Sequence, residues 1–223
     1  MLAAWDETDA WADSSLLFVA DADDPQIGGY RRLVAEHDGN SKRWRVIEVP
    51  RWRPMVPKLN QAAVREAVRC GPTSWLALAF MGDDHLPRTC GWARAFLDTI
   101  DDLGGTGIVY GNDLHRGAEL ATHWVMTTNI VRALGLMVPA PVRHQFCDRA
   151  VMDLGRAAGC LRYREDVIVE HMHYSVGKAA KDHIYKLGNR KRGYEADQHA
   201  YEKWLRYGLR RDAARVRALM GRR

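Results

Sequence analysis

Residues 75–87 read WLALAFMGDDHLP, an apolar run that stops at Gly82 and then delivers Asp83, Asp84 and His85 in succession. The run has the length of a buried strand. Two adjacent carboxylates are costly to bury without a cation or donor, so they belong at a strand end where something meets them. LLFVADADDP, residues 16–25, repeats the pattern, an apolar run closing on Asp21, Asp23, Asp24 and Pro25. A third polar group, Gly111, Asn112 and Asp113, follows the strand-like segment 107–110.

Outward from these runs the elements alternate. Tyr30–His37 reads as a short helix after the Gly28-Gly29 break, and RWRVIEV, 43–49, reads as a strand. Pro50, Pro54 and Pro57 enclose an irregular loop. A helix then opens at Leu59-Asn60, with Leu59, Ala63, Ala67 and Cys70 at helical spacing. Further helices are expected over 91–100, from Thr127-Thr128 to Leu134, and from Asp148 to Ala158. Thr122–Met126 reads as a strand, and CLRY and VIVE as two short ones. Such alternation predicts an α/β fold, a mostly parallel sheet flanked by helices. Ligands of parallel sheets sit beyond the C-terminal strand ends, which would put both acid clusters on one rim.

At 223 residues and 47% apolar content the chain can bury a full core and is not globally disordered. No run approaches 18 consecutive apolar residues, so no transmembrane segment is expected. The N-terminus MLAAWDETDA lacks the basic region of a signal peptide, and Cys70, Cys90, Cys147 and Cys160 form no CxxC. A cytoplasmic protein with reduced thiols is the simplest expectation. Charge is uneven: residues 186–223 carry 12 Lys or Arg against 4 Asp or Glu, whereas the rest is mildly acidic. Polyanion contacts are therefore to be sought at the tail.

The order of these motifs, Asp23-Asp24, GDDH at 82–85, GIVYGND at 107–113 and VIVEHMHYSVGKAAKD at 167–182, resembles the GT-A fold glycosyltransferases, family 2-like enzymes encoded by bacteriophages. The resemblance implies a GT-A-like domain over 1–188 lacking the usual first strand, followed by a basic helical extension over 189–223. It implies metal-dependent transfer of a sugar from a UDP- or GDP-linked donor to an acceptor hydroxyl with inversion; the acceptor is open among a phage protein, modified DNA, a glycan and a lipid-linked molecule. By resemblance, Asp21, Asp23 and Asp24 lie at the nucleotide, with Asn60, Asp83 and Lys178 as further donor contacts. Asp84 and His173 would hold Mn2+ or Mg2+, with His171 the alternative histidine. Asp148 would be the base, Asp153 the alternative, and Asn112 and Asp113 would touch acceptor or sugar. The residues independently allow such chemistry, since a divalent ion held by carboxylates neutralises a departing diphosphate. Without its first strand a sheet leaves backbone groups exposed, and a homo-oligomer contact or a rearranged helix would cover them.

Two other readings stand beside this one. A nucleotidyltransferase would use the same acids and metal, although no glycine-rich phosphate loop is present. A nucleic-acid-binding protein would use the tail, where Arg206, Arg210, Arg211, Arg215 and Arg217 interleave with Tyr194, Tyr201, Trp204 and Tyr207. The same tail has apolar residues at helical spacing, which equally suits a helix packed on the domain with its arginines in water.

Overall fold

The computed structural model describes residues 2–38, 43–51, 54–69, 76–178 and 191–221. After a short helix α1 (Leu2–Glu7), strand β1 (Leu16–Asp21), helix α2 (Ile27–Asp38) and strand β2 (Trp44–Val49) form a unit of their own. The two strands pair in parallel from Leu16↔Trp44 to Asp21↔Val49 and join no other strand among the described residues. Helix α3 (Met55–Arg69) follows. Pro57, expected in a loop, lies inside its first turn, where a missing N–H breaks no helical bond.

The remaining strands are β3 (Ala77–Phe80), β4 (His85–Pro87), β5 (Ile108–Asn112), β6 (Trp124–Thr127) and β7 (Leu161–His171), in the order β3-β6-β5-β7-β4. Three of the four pairings are antiparallel, and only β5–β7 is parallel. The sheet curls into a half-barrel. The expected open, mostly parallel GT-A-like sheet is therefore incorrect. The connections give the reason. Only a loop with one 3-10 turn at Gly117–Glu119 joins the neighbours β5 and β6. A parallel neighbour needs a crossover, usually helical, whereas antiparallel strands return through short links. The segments CLRY and VIVE belong to one continuous strand, β7.

Helix α4 (Trp92–Asp102) covers one face of this sheet, where Trp92, Phe96 and Ile100 pack with Val109, Val125 and Val167. Their neighbours Ile108 and Met126 point to the opposite face, as alternation in a strand requires. There they meet helices α5 (Thr128–Leu134) and α6 (Cys147–Ala158) through Ile130, Val131, Met152 and Leu154. Each fully buried side chain of this kind contributes about 1.5–3 kcal/mol. The tail forms α7 (Lys191–Tyr207) and α8 (Leu209–Met220), which bury Trp204, Ala213 and Val216 in the same core. Buried Asp197 in α7 accepts backbone N–H bonds from Arg143, His144 and Gln145 at 2.8–2.9 Å, fastening the loop that precedes α6.

The β1–β2 unit is held by α3, through Ile47, Val49 and Ala62 and the pairs Arg45–Glu66 and Lys58–Asp21, and by a group of indoles. Trp11 stacks on Trp44 at 4.7 Å, and Trp5 contacts both Trp11 and Trp92 at 5.0 and 5.3 Å.

Candidate metal centre

Gly82–Asp84 turns the chain from β3 directly into β4, whose first residue, His85, lies opposite His171 in the antiparallel pair. The two imidazoles stack across the strands, 4.3 Å apart and 16° from parallel. Backbone bonds tie the surrounding segments together: His171 N–H donates to Asp113 O at 3.0 Å and Met172 N–H to Asp84 O at 2.8 Å.

Asp84 spans the edges of the two stacked rings. Its Oδ2 is 3.1 Å from His171 Nε2 and its Oδ1 is 3.2 Å from His85 Nδ1. Ligand atoms of Asp84, His85 and His171 all lie within 4.8 Å of one another. Two imidazole nitrogens and a carboxylate oxygen converging on one point form a donor set that can hold a metal ion. Side-chain exposure rises from 4% at His85 and 13% at His171 to 24% at Asp84, so the group is reached from solvent along its carboxylate. A Cβ on Gly82 would lie 2.6 Å from Asp84 Oδ1 and 3.0 Å from His85 Nδ1. Any larger residue there would push that carboxylate off its present position.

Behind the group lies Asp113, 1% exposed. Its Oδ1 accepts backbone N–H bonds from His115, Arg116 and Gly117 at 3.0, 2.6 and 2.8 Å, and its Oδ2 accepts the Thr122 hydroxyl at 2.8 Å. Burial alone would raise its pKa, but these donors outweigh it and hold the carboxyl below its ordinary range. Leu114, between Asp113 and His115, adopts left-handed backbone with φ of 54°. Asn112 Oδ1 steadies that turn by accepting the Leu114 N–H at 3.0 Å.

Asp113 also serves the two histidines. Gly82 N–H donates to His85 Nδ1 at 3.1 Å, which assigns the His85 proton to Nε2, 3.4 Å from Thr122 Oγ1. Thr122 passes this chain on to Asp113. Nδ1 of His171 is buried, has no hydrogen-bond partner among the described residues, and lies 3.9 Å from Asp113 Oδ2. A metal-bound histidine ordinarily presents its other nitrogen to a carboxylate or carbonyl, and here one carboxylate stands behind both rings. Burial pushes the His85 pKa down, so its ring is neutral, and the Nδ1 lone pair that accepts the Gly82 N–H is the one a metal would have to take over.

Three more imidazoles surround this arrangement. His115 stacks on His173 at 5.4 Å, and their rings stand 6.1 and 4.9 Å from His171. His173 Nδ1 is engaged by Ser175, whose hydroxyl is 2.7 Å away. His123, 1% exposed, accepts the Gly111 N–H on Nε2 at 3.1 Å. Its pKa is pushed down to about 3 by burial first and by the nearby His85 second.

Apart from Asp83, beside it in the chain, the remaining residues singled out in the sequence have partners away from Asp84. Asp21 pairs with Lys58 at 2.6 Å, Asp23 with Arg51 at 3.2 Å, and Asp24 accepts the Gln26 N–H at 2.7 Å, all at the end of β1. Because β1 belongs to the small sheet, the two acid clusters do not share the rim of one parallel sheet. Asn60 spends its carboxamide on the backbone of Met137 and Val138. Asp83 is exposed. Lys178 pairs with Glu170 at 2.6 Å. Asp148 opens α6 half-buried, its carboxylate accepting the Arg149 N–H at 2.8 Å, and burial raises its pKa. Asp153 bonds to the Tyr201 hydroxyl. Sequence reading missed His85 as a ligand candidate, and missed His115, Thr122 and His123 altogether. The only available signal was that five of the nine histidines fall in 85–123 and 171–173.

Protein-family models, curated proteins and solved structures yield no match to this chain. With the sheet mixed and curled, the resemblance to GT-A glycosyltransferases is withdrawn, and the nucleotide-sugar chemistry attached to it goes too. Among the described residues no helix is long and apolar enough to cross a membrane.

Proposed function

We propose that the chain is a metal-dependent enzyme whose centre is Asp84, His85 and His171, with Asp113 positioning both histidines. The convergence of these three donor groups over one buried carboxylate carries the reading. A mixed nitrogen and oxygen donor set suits Zn2+, Mn2+ or Fe2+ better than Mg2+, which prefers an all-oxygen shell. Three protein ligands leave coordination positions for substrate and water, and the exposed flank of Asp84 supplies the approach. A structural site would more often close its shell with four protein ligands.

The reaction class that fits is hydrolysis or polar group transfer. A bound ion would polarise the substrate and lower the pKa of a coordinated water. The protein's own part is to fix the two rings from behind, to keep His85 neutral, and to offer the imidazoles of His115 and His173 beside the site as proton carriers. Titration calorimetry with Zn2+, Mn2+ and Mg2+ tests the reading, followed by metal-dependent hydrolysis of p-nitrophenyl phosphate and acetate. Binding of Zn2+ or Mn2+ at one site, abolished by Asp84→Ala, together with turnover that needs the ion, is expected. Absence of binding by any of the three ions overturns it.

A further inference from the structure

Between the two sheets lies a groove of about 860 Å³ with strand edges for walls. Residues 16–20 of β1 line one side, and residues 76–81 around β3 line the other. Neither edge has a strand partner there among the described residues, since β1 pairs only with β2 and β3 only with β6.

The ladder patterns show which backbone groups face the groove. Leu16 N–H bonds to Arg43 O, and Ala22 N–H to Val49 O, so the even-numbered residues of β1 face β2. Leu17 and Val19 therefore aim their N–H and C=O the other way. On β3, Leu76 O accepts the Thr128 N–H, which makes 76, 78 and 80 the residues bonded to β6. Ala77 and Ala79 are left aiming at the groove. Among the described residues, two rows of backbone donors and acceptors without a strand partner thus face the groove.

The two faces of the groove are covered as well. Trp92 and Phe96 of α4 lie on one side, and Met55 and Leu59 of α3, which pack against the other core cluster, lie on the opposite side. The edge residues Val19 and Ala79 are exposed, and an open strand edge is a ready template for an added strand. A strand with helices on both faces is apolar along its whole length rather than on alternate residues.

We propose that this groove is a strand-acceptor site, taking an extended, continuously apolar segment of about six residues from a partner polypeptide. Such a segment would pair with β1 on one side and β3 on the other and join the two sheets into one, a two-sided form of β-strand addition. A second copy of this chain fits less well, because a sheet edge arrives with its own sheet attached and cannot enter a slot walled on both sides.

The probe is a synthetic peptide of six alternating valines and alanines between lysine pairs, tested on the whole chain by amide hydrogen exchange. Exchange at Leu17, Val19, Ala77 and Ala79 should slow at least tenfold, while Leu78 and Phe80, already bonded to β6, change little. The same peptide N-methylated on alternate residues should give no protection. Ala79→Pro removes a groove-facing N–H without touching the β6 ladder and should abolish binding with the thermal melt retained. Val19→Pro does the same from the other wall, should Ala79→Pro not fold. Equal protection by the N-methylated peptide, protection of the same amides in a peptide-free dimer, or no protection at millimolar peptide each overturns the proposal.

Discussion

The chain ends two apolar strands in acids, and the two ends become different things. At the end of β1, Asp21 and Asp23 meet Lys58 and Arg51 near the surface. At the turn after β3, Asp84 meets His85 and His171 beside a buried second carboxylate. The acids themselves are alike. What differs is the strand delivered opposite them, because β7 runs antiparallel to β4 and sets His171 against His85. A cluster of acids acquires chemistry from its partners across the sheet, and ion pairs at a surface are worth little.

The largest effect expected from this comparison is on metal binding. Asp84→Ala or His171→Ala should weaken Zn2+ affinity at least a hundredfold by calorimetry, whereas Asp21→Ala should leave it unchanged. Equal losses in both clusters would erase the distinction. Asp113→Ala should cost about 10–100-fold in affinity, because it acts on the ligands from behind, through Thr122 on His85 and from 3.9 Å on His171 Nδ1. It should also lower stability by about 3 kcal/mol in urea, since it strands three backbone N–H groups and the Thr122 hydroxyl.

A third effect is on pH. The unfolded chain protonates His123 near the ordinary value of about 6.5, the folded one only near 3. Between those values the unfolded state binds more protons, so metal-free protein should lose stability as pH falls from 6.5 toward 3, by on the order of 4 kcal/mol. Denaturant titrations from pH 7.5 to 4 should show the decline, and His123→Gln should make it shallower without abolishing it, since His85 is depressed by burial too. The smallest effect belongs to β1: Lys58→Ala should cost about 1 kcal/mol or less, because both partners of that pair are partly solvated.

Most individual elements were legible in the sequence, because apolar runs, helical spacing and Gly or Pro breaks are local signals. Residues 91–100 and 148–158 read as helices and are so to within two residues. Strand direction was not legible. It depends on pairing between distant segments, and the short link from β5 to β6 was the only local hint that this pair returns antiparallel. At the candidate site, Asp84 stood out as an acid at a strand end, and of the two later histidines the resemblance favoured His173, whereas the group brings His171 to Asp84. Asp113 did not stand out as their support, since its role exists only once β5 lies beside β7. Gly111 belongs to the same lesson: a Cβ there would collide with the Val167 carbonyl, a contact invisible along the chain.

The indoles that fasten β1 and β2 carry one more consequence. Trp5, Trp11, Trp44 and Trp92 form a connected aromatic group at the seam between the sheets, while Trp124 is sealed in the larger sheet and stacks on Phe80. Loosening of the small sheet would wet the first group and leave Trp124 dry. Intrinsic fluorescence should then shift to the red in two steps during denaturation, the seam before the core, and a Trp44→Phe variant should lose part of the first step. The protein thus carries its own optical gauge of whether its two halves are joined.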